Sequence, residues 1–175
     1  MRRWQAGLAL LAAIAGAVYF FGLRERSVVA QVRSPRAAAT IGGGSEAVVV
    51  SSTGRVIRWL PPPEEPPPPT LPLTEAPKAG RLAGPALQQA RVLGAVPAAL
   101  RTYLERSYYG DSGVDVVLTS GIELRFGDAS QAARKWRAAA AVLADPSITA
   151  LDYVDLQAPN RPSVGGSSHL LPAAP

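Results

Sequence analysis

An uncharged, apolar run of twenty residues, 4–23, is the feature that most limits how this chain can fold; it reads WQAGLALLAAIAGAVYFFGL. A helix of this length spans roughly 30 Å at about 1.5 Å per residue, the thickness of the hydrocarbon core of a bilayer. Aromatic residues lie at both ends of the run and arginines flank it, as is typical of membrane-spanning helices. The run predicts a single transmembrane helix.

A cleaved signal peptide is the alternative interpretation of this run. Arg2 and Arg3 form a positively charged start, and residues 28–30, VVA, fit a small-residue cleavage pattern. The run is longer than the usual apolar core of a signal peptide, about 7 to 15 residues, which favours the uncleaved anchor. Because only residues 1–3 precede the span, we expect a cytoplasmic N-terminus and an extracytoplasmic remainder.

Composition excludes several classes of site. The chain has no cysteine and a single histidine, His169. This excludes a thiol nucleophile, a disulfide framework, an iron–sulfur cluster and a zinc site built on cysteines or several histidines. Residues 27–175 carry 14 basic and 12 acidic side chains, a net charge of +2. Such a balance does not indicate a nucleic-acid-binding surface.

Prolines occupy nine of the seventeen positions in 61–77. A segment of this kind lacks backbone donors and has fixed φ angles, so it is extended rather than helical or part of a sheet core. We interpret 61–80 as a semi-rigid spacer or a loop that follows the domain surface. A ligand for a proline-binding module is the alternative.

One β-hairpin is predicted before the proline-rich region and one after it. In 46–60, two apolar stretches flank a turn in which Gly54 takes the left-handed conformation. In 114–126, a three-residue loop with Gly121 in that conformation places the alternating apolar residues on one face. The expected pairs are Leu118 with Ile122, Val116 with Leu124 and Val114 with Phe126.

Helical patterns complete the prediction. One helix begins at Pro85 and ends at Gly94, a second covers 98–107, and a third runs from about Ala129 to Leu143. Asp128 and Ser130 are N-cap candidates for the third helix, and Trp136 lies on its apolar stripe. Another strand is expected at 151–156. The predicted class is α+β: a single transmembrane helix, then a small β-rich domain with two or three helices on a mainly antiparallel sheet.

No catalytic constellation is evident, and we predict no metal, cofactor, small-molecule substrate or catalytic residue. The carboxylates are scattered, and Ser168-His169 lies in a Gly- and Pro-rich tail where nothing preorganises it. An envelope hydrolase would need convergence of Asp111, Asp115, Glu123 or Asp128. A secreted or surface-anchored envelope protein that binds a peptide or glycan through the tyrosine cluster, 103–109, is the other alternative.

The order of the segments is more informative than any one motif. A short start and one span are followed by ERSVVAQVR at 25–33, SSTGRVIRWLP at 51–61, VPAALRTYL at 96–104, DVVLTSGIELRFGD at 115–128, a helix with Lys135-Trp136, and YVDLQAPNRPSV at 153–164. This ordered set resembles the FtsQ/DivIB family of bacterial cell-division proteins. Members usually carry a POTRA domain between the span and the first of these segments, and here that domain is missing. The resemblance therefore implies either a shortened member or an incomplete gene model.

The resemblance implies a non-enzymatic scaffold at the division septum, in the bacterial cytoplasmic membrane. It would bind FtsB-like and FtsL-like single-pass partners. In that family the last strand and the segment after it form an edge onto which a partner adds a strand. Carried over by position, this surface consists of Tyr153, Asp155, Leu156, Gln157, Ala158, Arg161 and Val164.

The predicted organisation follows the chain in seven segments. They are a cytoplasmic start (1–3), the span (4–23), a juxtamembrane linker (24–45), a hairpin (46–60), the proline-rich spacer (61–80), an FtsQ-like α+β domain (81–164) and a disordered tail (165–175).

Overall fold

The computed structural model describes residues 37–42, 46–60, 62, 68–73 and 75–171. Within these ranges, no helix is long and apolar enough to cross a membrane. The predicted cytoplasmic start, 1–3, and transmembrane helix, 4–23, lie outside the described residues. The membrane anchor therefore stays a prediction.

A three-stranded antiparallel sheet comes first along the described chain. Its strands are β1 (Ala37–Ile41), β2 (Val48–Ser51) and β3 (Val56–Ile57), in the spatial order β1-β2-β3. In the β2–β3 turn Gly54 has a φ of 77°, the left-handed conformation that the sequence predicts. A Cβ atom at Gly54 would lie 2.5 Å from the terminal Cδ1 of Leu87, so the turn packs closely against that side chain. β1 supplies the neighbour that an isolated hairpin lacks.

The strand β1 lies inside the predicted juxtamembrane linker, 24–45. Its residues Ala38, Ala39 and Ile41 are each at most 1% exposed. Alanine has little intrinsic preference for strands, so the sequence AAATI carries no strand signal of its own and forms a strand because it packs. The described strand that precedes the hairpin is thus 37–41; the ERSVVAQVR segment, 25–33, lies outside the described residues.

Part of the proline-rich region runs alongside β1. Thr40 N donates to Pro69 O at 2.9 Å, and Leu71 N donates to Thr40 O at 2.8 Å. Leu71 is 1% exposed and belongs to the core. Residues 69–71 therefore follow the domain surface, the second of the two interpretations above, and do not leave it as a free spacer.

The larger sheet has five strands. They are β4 (Leu104–Gly110), β5 (Gly113–Leu118), β6 (Glu123–Gly127), β7 (Tyr153–Asp155) and β8 (Ser163–Gly165), each next to the following one. Neighbouring strands are antiparallel except β6 and β7, which are parallel. The helices are α1 (Gly84–Gly94), α2 (Ala132–Leu143) and a 3₁₀ helix (Ala98–Tyr103). The predicted α+β class with mainly antiparallel sheets is confirmed.

One hydrophobic core joins both sheets and both α-helices. Trp136 of α2 is 0% exposed, and its ring centroid lies 4.7 Å from that of Phe126 in β6. Its indole N–H donates to Val92 O in α1 at 2.8 Å, which satisfies the polar atom that burial would otherwise leave unpaired. Trp136 is thus a core residue, as predicted, and it connects α1 to α2.

The β5–β6 hairpin has almost the predicted register. Two predicted pairs are confirmed, Val116 with Leu124 and Leu118 with Ile122. The third is wrong by one residue, because the register shifts after Val114 and places Gly127, not Phe126, opposite it. At this end Gly113 has a φ of 115°, and a Cβ atom on it would lie 2.2 Å from Gly127 O. This close backbone approach accompanies the shift.

Two helix predictions need correction. The helix predicted over 98–107 is a 3₁₀ helix that ends at Tyr103, and the residues after it form β4 because they pair along β5. The third helix begins at Ala132, and its N-cap is Gln131, with a φ of 52° and no side-chain cap. Neither Asp128 nor Ser130 caps it; Asp128 instead accepts hydrogen bonds from Ser130 and from a lysine of α2.

Candidate partner-binding edge

The last strand of the larger sheet, β8, is paired on one side only. Its residues Ser163, Val164 and Gly165 lie opposite Asp155, Val154 and Tyr153 of β7. In the part of the chain that the structure describes, no strand pairs with the outer side of β8. Val164 is 44% exposed although it is apolar. The outward backbone groups of such a strand are free to pair with an added strand.

The strand β7 itself is not an edge. It lies between β6 and β8 in the sheet, so its backbone groups are occupied on both sides. Leu156, just after β7, is 0% exposed and belongs to the core. Tyr153 and Asp155 are half-buried on the opposite face of the sheet. The structure therefore places the free edge at 163–165, later in the chain than the strand that begins at Tyr153.

The loop between β7 and β8 carries the other residues of the predicted surface. Gln157 N donates to Asp155 Oδ1, and Arg161 N donates to Ala158 O, both at 2.9 Å. These two bonds turn the backbone so that the chain returns along β7. Gln157, Ala158 and Arg161 are all exposed, and they directly precede the edge strand.

The sheet face turned away from the helices carries a connected row of side chains. Tyr108 of β4 donates its hydroxyl proton to Glu123 Oε2 at 2.7 Å, and Arg125 Nε donates to Glu123 Oε1 at 2.5 Å. The guanidinium carbon of Arg125 lies 4.0 Å from the ring centroid of Tyr153. The row thus crosses the sheet from β4 to β7 and ends beside β8.

One carboxyl group on this face has no counter-charge in contact. Asp115 of β5 is 7% exposed, and its Oδ1 has no hydrogen-bond partner among the described residues. Burial, and then repulsion by Glu123, raise the pKa of Asp115 to about 6. The hydrogen bond to Glu123 raises the pKa of Tyr108 to about 12. Tyr108 therefore remains a donor near neutral pH, whereas Asp115 changes charge there.

The comparison with protein families decides what kind of domain this is. The family model for the C-terminal domain of cell division protein FtsQ/DivIB matches residues 39–157. This range is well over half of the chain and extends from β1 to just beyond β7. The chain belongs to the FtsQ/DivIB family. No curated protein sequence matches the chain. FtsQ/DivIB proteins are non-enzymatic division scaffolds associated with the membrane at the division site, and membership supports a role in cell division.

The three tyrosines of the 103–109 cluster do not form one stacking platform in this FtsQ/DivIB chain. Tyr108 and Tyr109 are consecutive residues of β4, so their side chains point to opposite faces of the sheet. Tyr108 is engaged by Glu123, and Tyr103 lies on the 3₁₀ helix. Tyr103 and Tyr109 are about half exposed. Nothing in this arrangement favours the peptide- or glycan-binding alternative.

The carboxylates considered for a hydrolase do not converge on a cleft. Asp115 and Glu123 share the open sheet face, Asp111 lies in the β4–β5 turn, and Asp128 is bonded to Lys135. A mostly apolar cavity of about 550 Å³ lies between the 3₁₀ helix, α2 and the β5–β6 turn, and none of these four residues lines it. The positions of these four carboxylates therefore give no support to the hydrolase alternative.

The Ser168-His169 pair has structural contacts instead of a catalytic geometry. Ser168 donates its backbone N–H and its hydroxyl to the carboxylate of Asp152. The ring of His169 packs on Gly121, where a Cβ atom would come within 2.5 Å of it. Residues 165–171, the described part of the predicted disordered tail, are therefore hydrogen-bonded along residues 149–152, just before β7. The prediction of disorder is wrong for these residues.

Sequence reasoning missed Ser163 and Gly165 as residues of the edge. The stretch RPSVGG contains proline, glycine and serine, a composition typical of loops. The only strand signal in it is Val164, set between small residues. Pairing with β7, which lies about ten residues earlier, is what makes this stretch a strand, and a composition-based prediction does not include that partner.

Proposed function

We propose that this chain is a membrane-anchored, non-enzymatic scaffold of the bacterial divisome. In this proposal it binds FtsB-like and FtsL-like single-pass partners through the edge of β8 during septum formation. The observation that carries the proposal is the free outer edge of Ser163–Gly165 at the end of the larger sheet of an FtsQ/DivIB domain.

Strand addition suits the chemistry of this edge. A partner strand laid along β8 gains main-chain hydrogen bonds, and its alternate side chains meet the two faces of the sheet. On one face the partner meets Val164, an apolar side chain that is 44% exposed in the free domain. Gln157, Ala158 and Arg161 contribute polar and apolar contacts beside the start of the strand. Burial of Val164 and completion of the ladder both favour the complex.

The anchor in this proposal is the predicted span, 4–23, with the N-terminus in the cytoplasm and the described domain outside it. Membership of the family supports a location at the division septum. N-terminal sequencing of protein extracted from membranes tests the anchor. Met1, or a residue close to it, is expected at the terminus, whereas a terminus at Gln31 would identify a cleaved signal peptide and contradict the anchor.

The edge is tested by a charge placed on it. Val164→Asp puts a carboxylate where the partner strand docks, while Ala133→Asp puts the same charge on the exposed side of α2 as a matched control. We expect the first variant to lose at least about tenfold in recovery of co-expressed FtsB-like and FtsL-like proteins, since an unpaired charge in an interface costs more than 1.4 kcal/mol. The control should retain them. Equal recovery from both variants would contradict the edge.

A localisation experiment tests the division role separately. A fluorescent protein fused before Met1 should give a band at midcell in living cells, and external protease should cleave the described domain while the label stays protected. A uniform membrane signal would contradict recruitment to the septum, and release of the domain into the medium would favour the secreted alternative.

A further inference from the structure

Gly165 of β8 lies directly opposite Tyr153 of β7 in the last strand pair of the sheet. A Cβ atom at Gly165 would lie 2.6 Å from both Cζ and Oη of that tyrosine, which is closer than side chains approach each other. The tyrosine ring therefore fills the space that a side chain at position 165 would occupy. A ring that covers a cross-strand glycine in this way supplies the contact that glycine lacks and helps to set the register of an edge strand.

The ring of Tyr153 is itself supported from β6. The guanidinium of Arg125 lies 4.0 Å from the ring centroid, an attractive cation–π contact. Arg125 is held by its ion pair with Glu123, whose other oxygen accepts the hydroxyl proton of Tyr108. The ring thus has a fixed neighbour on β6 and rests on the backbone of β8.

The strand β8 has few other contacts that hold it. It is three residues long, and Ser163 and Val164 are exposed. The loop before it is exposed as well, from Gln157 to Pro162 except for Pro159. After it, the bonds from Ser168 to Asp152 fix the chain. A strand this short buries little surface of its own, so the ring contact at Gly165 is a large part of what keeps it paired.

We infer that Tyr153 is a positioning residue for the partner-binding edge. Its ring, supported by Arg125, holds Gly165 and keeps β8 in the paired conformation onto which a partner strand adds. This inference rests on the proposed function, because it assigns a role to the same edge. It also specifies the chemistry of the partner. The partner residue that pairs beside Gly165 meets the tyrosine ring, so an aliphatic or aromatic side chain fits at that position.

A double-mutant cycle on the full-length protein in its membrane extract tests this inference. Tyr153→Ala removes the ring, Gly165→Ala introduces a Cβ atom that collides with it, and Tyr153→Phe keeps the ring. Tyr109→Ala, a half-exposed tyrosine on the opposite edge strand β4, is the matched control. Two quantities are measured: amide hydrogen exchange of residues 163–165 without partners, and recovery of the co-expressed FtsB-like protein.

We expect Tyr153→Ala and Gly165→Ala each to accelerate exchange in β8 about tenfold and to lower partner recovery. Tyr153→Phe and Tyr109→Ala should behave like the wild type. In the Tyr153→Ala background, Gly165→Ala should add little, because the ring with which it collides is gone.

Two results would overturn the inference and leave the proposed function standing. One is wild-type exchange in Tyr153→Ala, and the other is full additivity of the two alanine substitutions. A third result, faster exchange in β8 with unchanged partner recovery, would overturn the docking role of β8 itself and therefore both proposals. Hydrogen exchange and partner recovery together therefore distinguish failure of the role of Tyr153 from failure of the proposed docking edge.

Discussion

Lys135 of α2 is buried, with its side chain 2% exposed, and its Nζ lies 2.8 Å from Asp128 Oδ1. The same ammonium group donates to Phe126 O at 2.8 Å and to Asp128 O at 3.0 Å. Its three donors therefore have three acceptors, all at the end of β6 and in the turn that follows. One side chain of α2 thus fixes the connection between the larger sheet and the helix.

We predict that Lys135→Met destabilises the domain by about 2–4 kcal/mol. Methionine fills a similar volume, but it leaves the carbonyl groups of Phe126 and Asp128 without donors. Denaturant unfolding of the two proteins measures the difference. Arg134→Met is the matched control, because Arg134 is exposed on the same helix and should change stability by less than about 0.5 kcal/mol. Equal effects of the two variants would contradict the role of Lys135.

We predict that the free energy of unfolding falls in acid because of the ion pair of Asp128. Its hydrogen bonds with Lys135 and then Ser130 lower its pKa to about 2. A carboxyl group with a depressed pKa in the folded state stabilises the protein above its unfolded value, near 4, and this contribution is lost as the pH falls through about 2. Because the side chain is 68% exposed, solvent screening keeps the effect small. Unfolding free energies between pH 5 and about 2 should fall less steeply for Asp128→Asn than for the wild type; parallel curves would contradict this.

For Asp115 we predict the opposite pH dependence, a contribution to stability that is lost as the pH rises. Its pKa is raised to about 6 by burial and by Glu123, so the folded state favours the protonated form. Its stabilising contribution is fully present below the unfolded pKa, near 4, and is lost as the pH rises through about 6. Asp115→Asn should remove this dependence and raise stability at pH 7.5 by roughly 2 kcal/mol. Thermal unfolding from pH 4.5 to 7.5 measures it, with the exposed Glu105→Gln as control. An unchanged pH profile in Asp115→Asn would be evidence against the buried charge.

We predict that a conservative substitution of Trp136 lowers the free energy of unfolding substantially. Trp136→Phe removes the bond from the indole N–H to Val92 O and opens a small cavity beside Phe126. Together these cost about 2–4 kcal/mol. Trp59→Phe is the natural control, since Trp59 is 80% exposed and its replacement should cost less than about 0.5 kcal/mol. Chemical unfolding followed by far-UV circular dichroism compares them, and similar midpoints would contradict the prediction.

Elements whose pattern is local could be predicted well. The β5–β6 hairpin has apolar residues at alternate positions around a glycine turn, although Val117 breaks the alternation. The three-residue loop is the register that puts the six predicted partners on the same face. α1 has a proline at its start and a glycine at its end. The limits of such reasoning appear at β4, where Leu100, Tyr103 and Leu104 recur at helical spacing, yet Leu104 begins a strand. That residue pairs with Leu118 of β5, a contact outside the local window.

The candidate site also combines features that local sequence predicts with features that depend on distant residues. The ordered resemblance predicts a partner surface within residues 153–164, and its binding role stays a prediction. The identity of the edge strand was not predicted, since β8 has a loop-like composition. Likewise, Asp128 was predicted as an N-cap, whereas the structure uses it to bind Lys135. The choice between a cap and a lysine contact depends on the direction in which α2 leaves the turn.

By itself the sequence determined the two glycine turns and the core position of Trp136, because each is encoded by spacing within a short stretch. It also determined the class of the domain and the family, through the order of its segments along the chain. Only the tertiary structure decided that Ala37–Ile41 is a strand, that residues 69–71 follow it, that β7 is interior and that Gly165 lies under the ring of Tyr153. The physical reason is that these features arise from backbone pairing and packing between residues far apart in the chain, whose energies no local pattern contains.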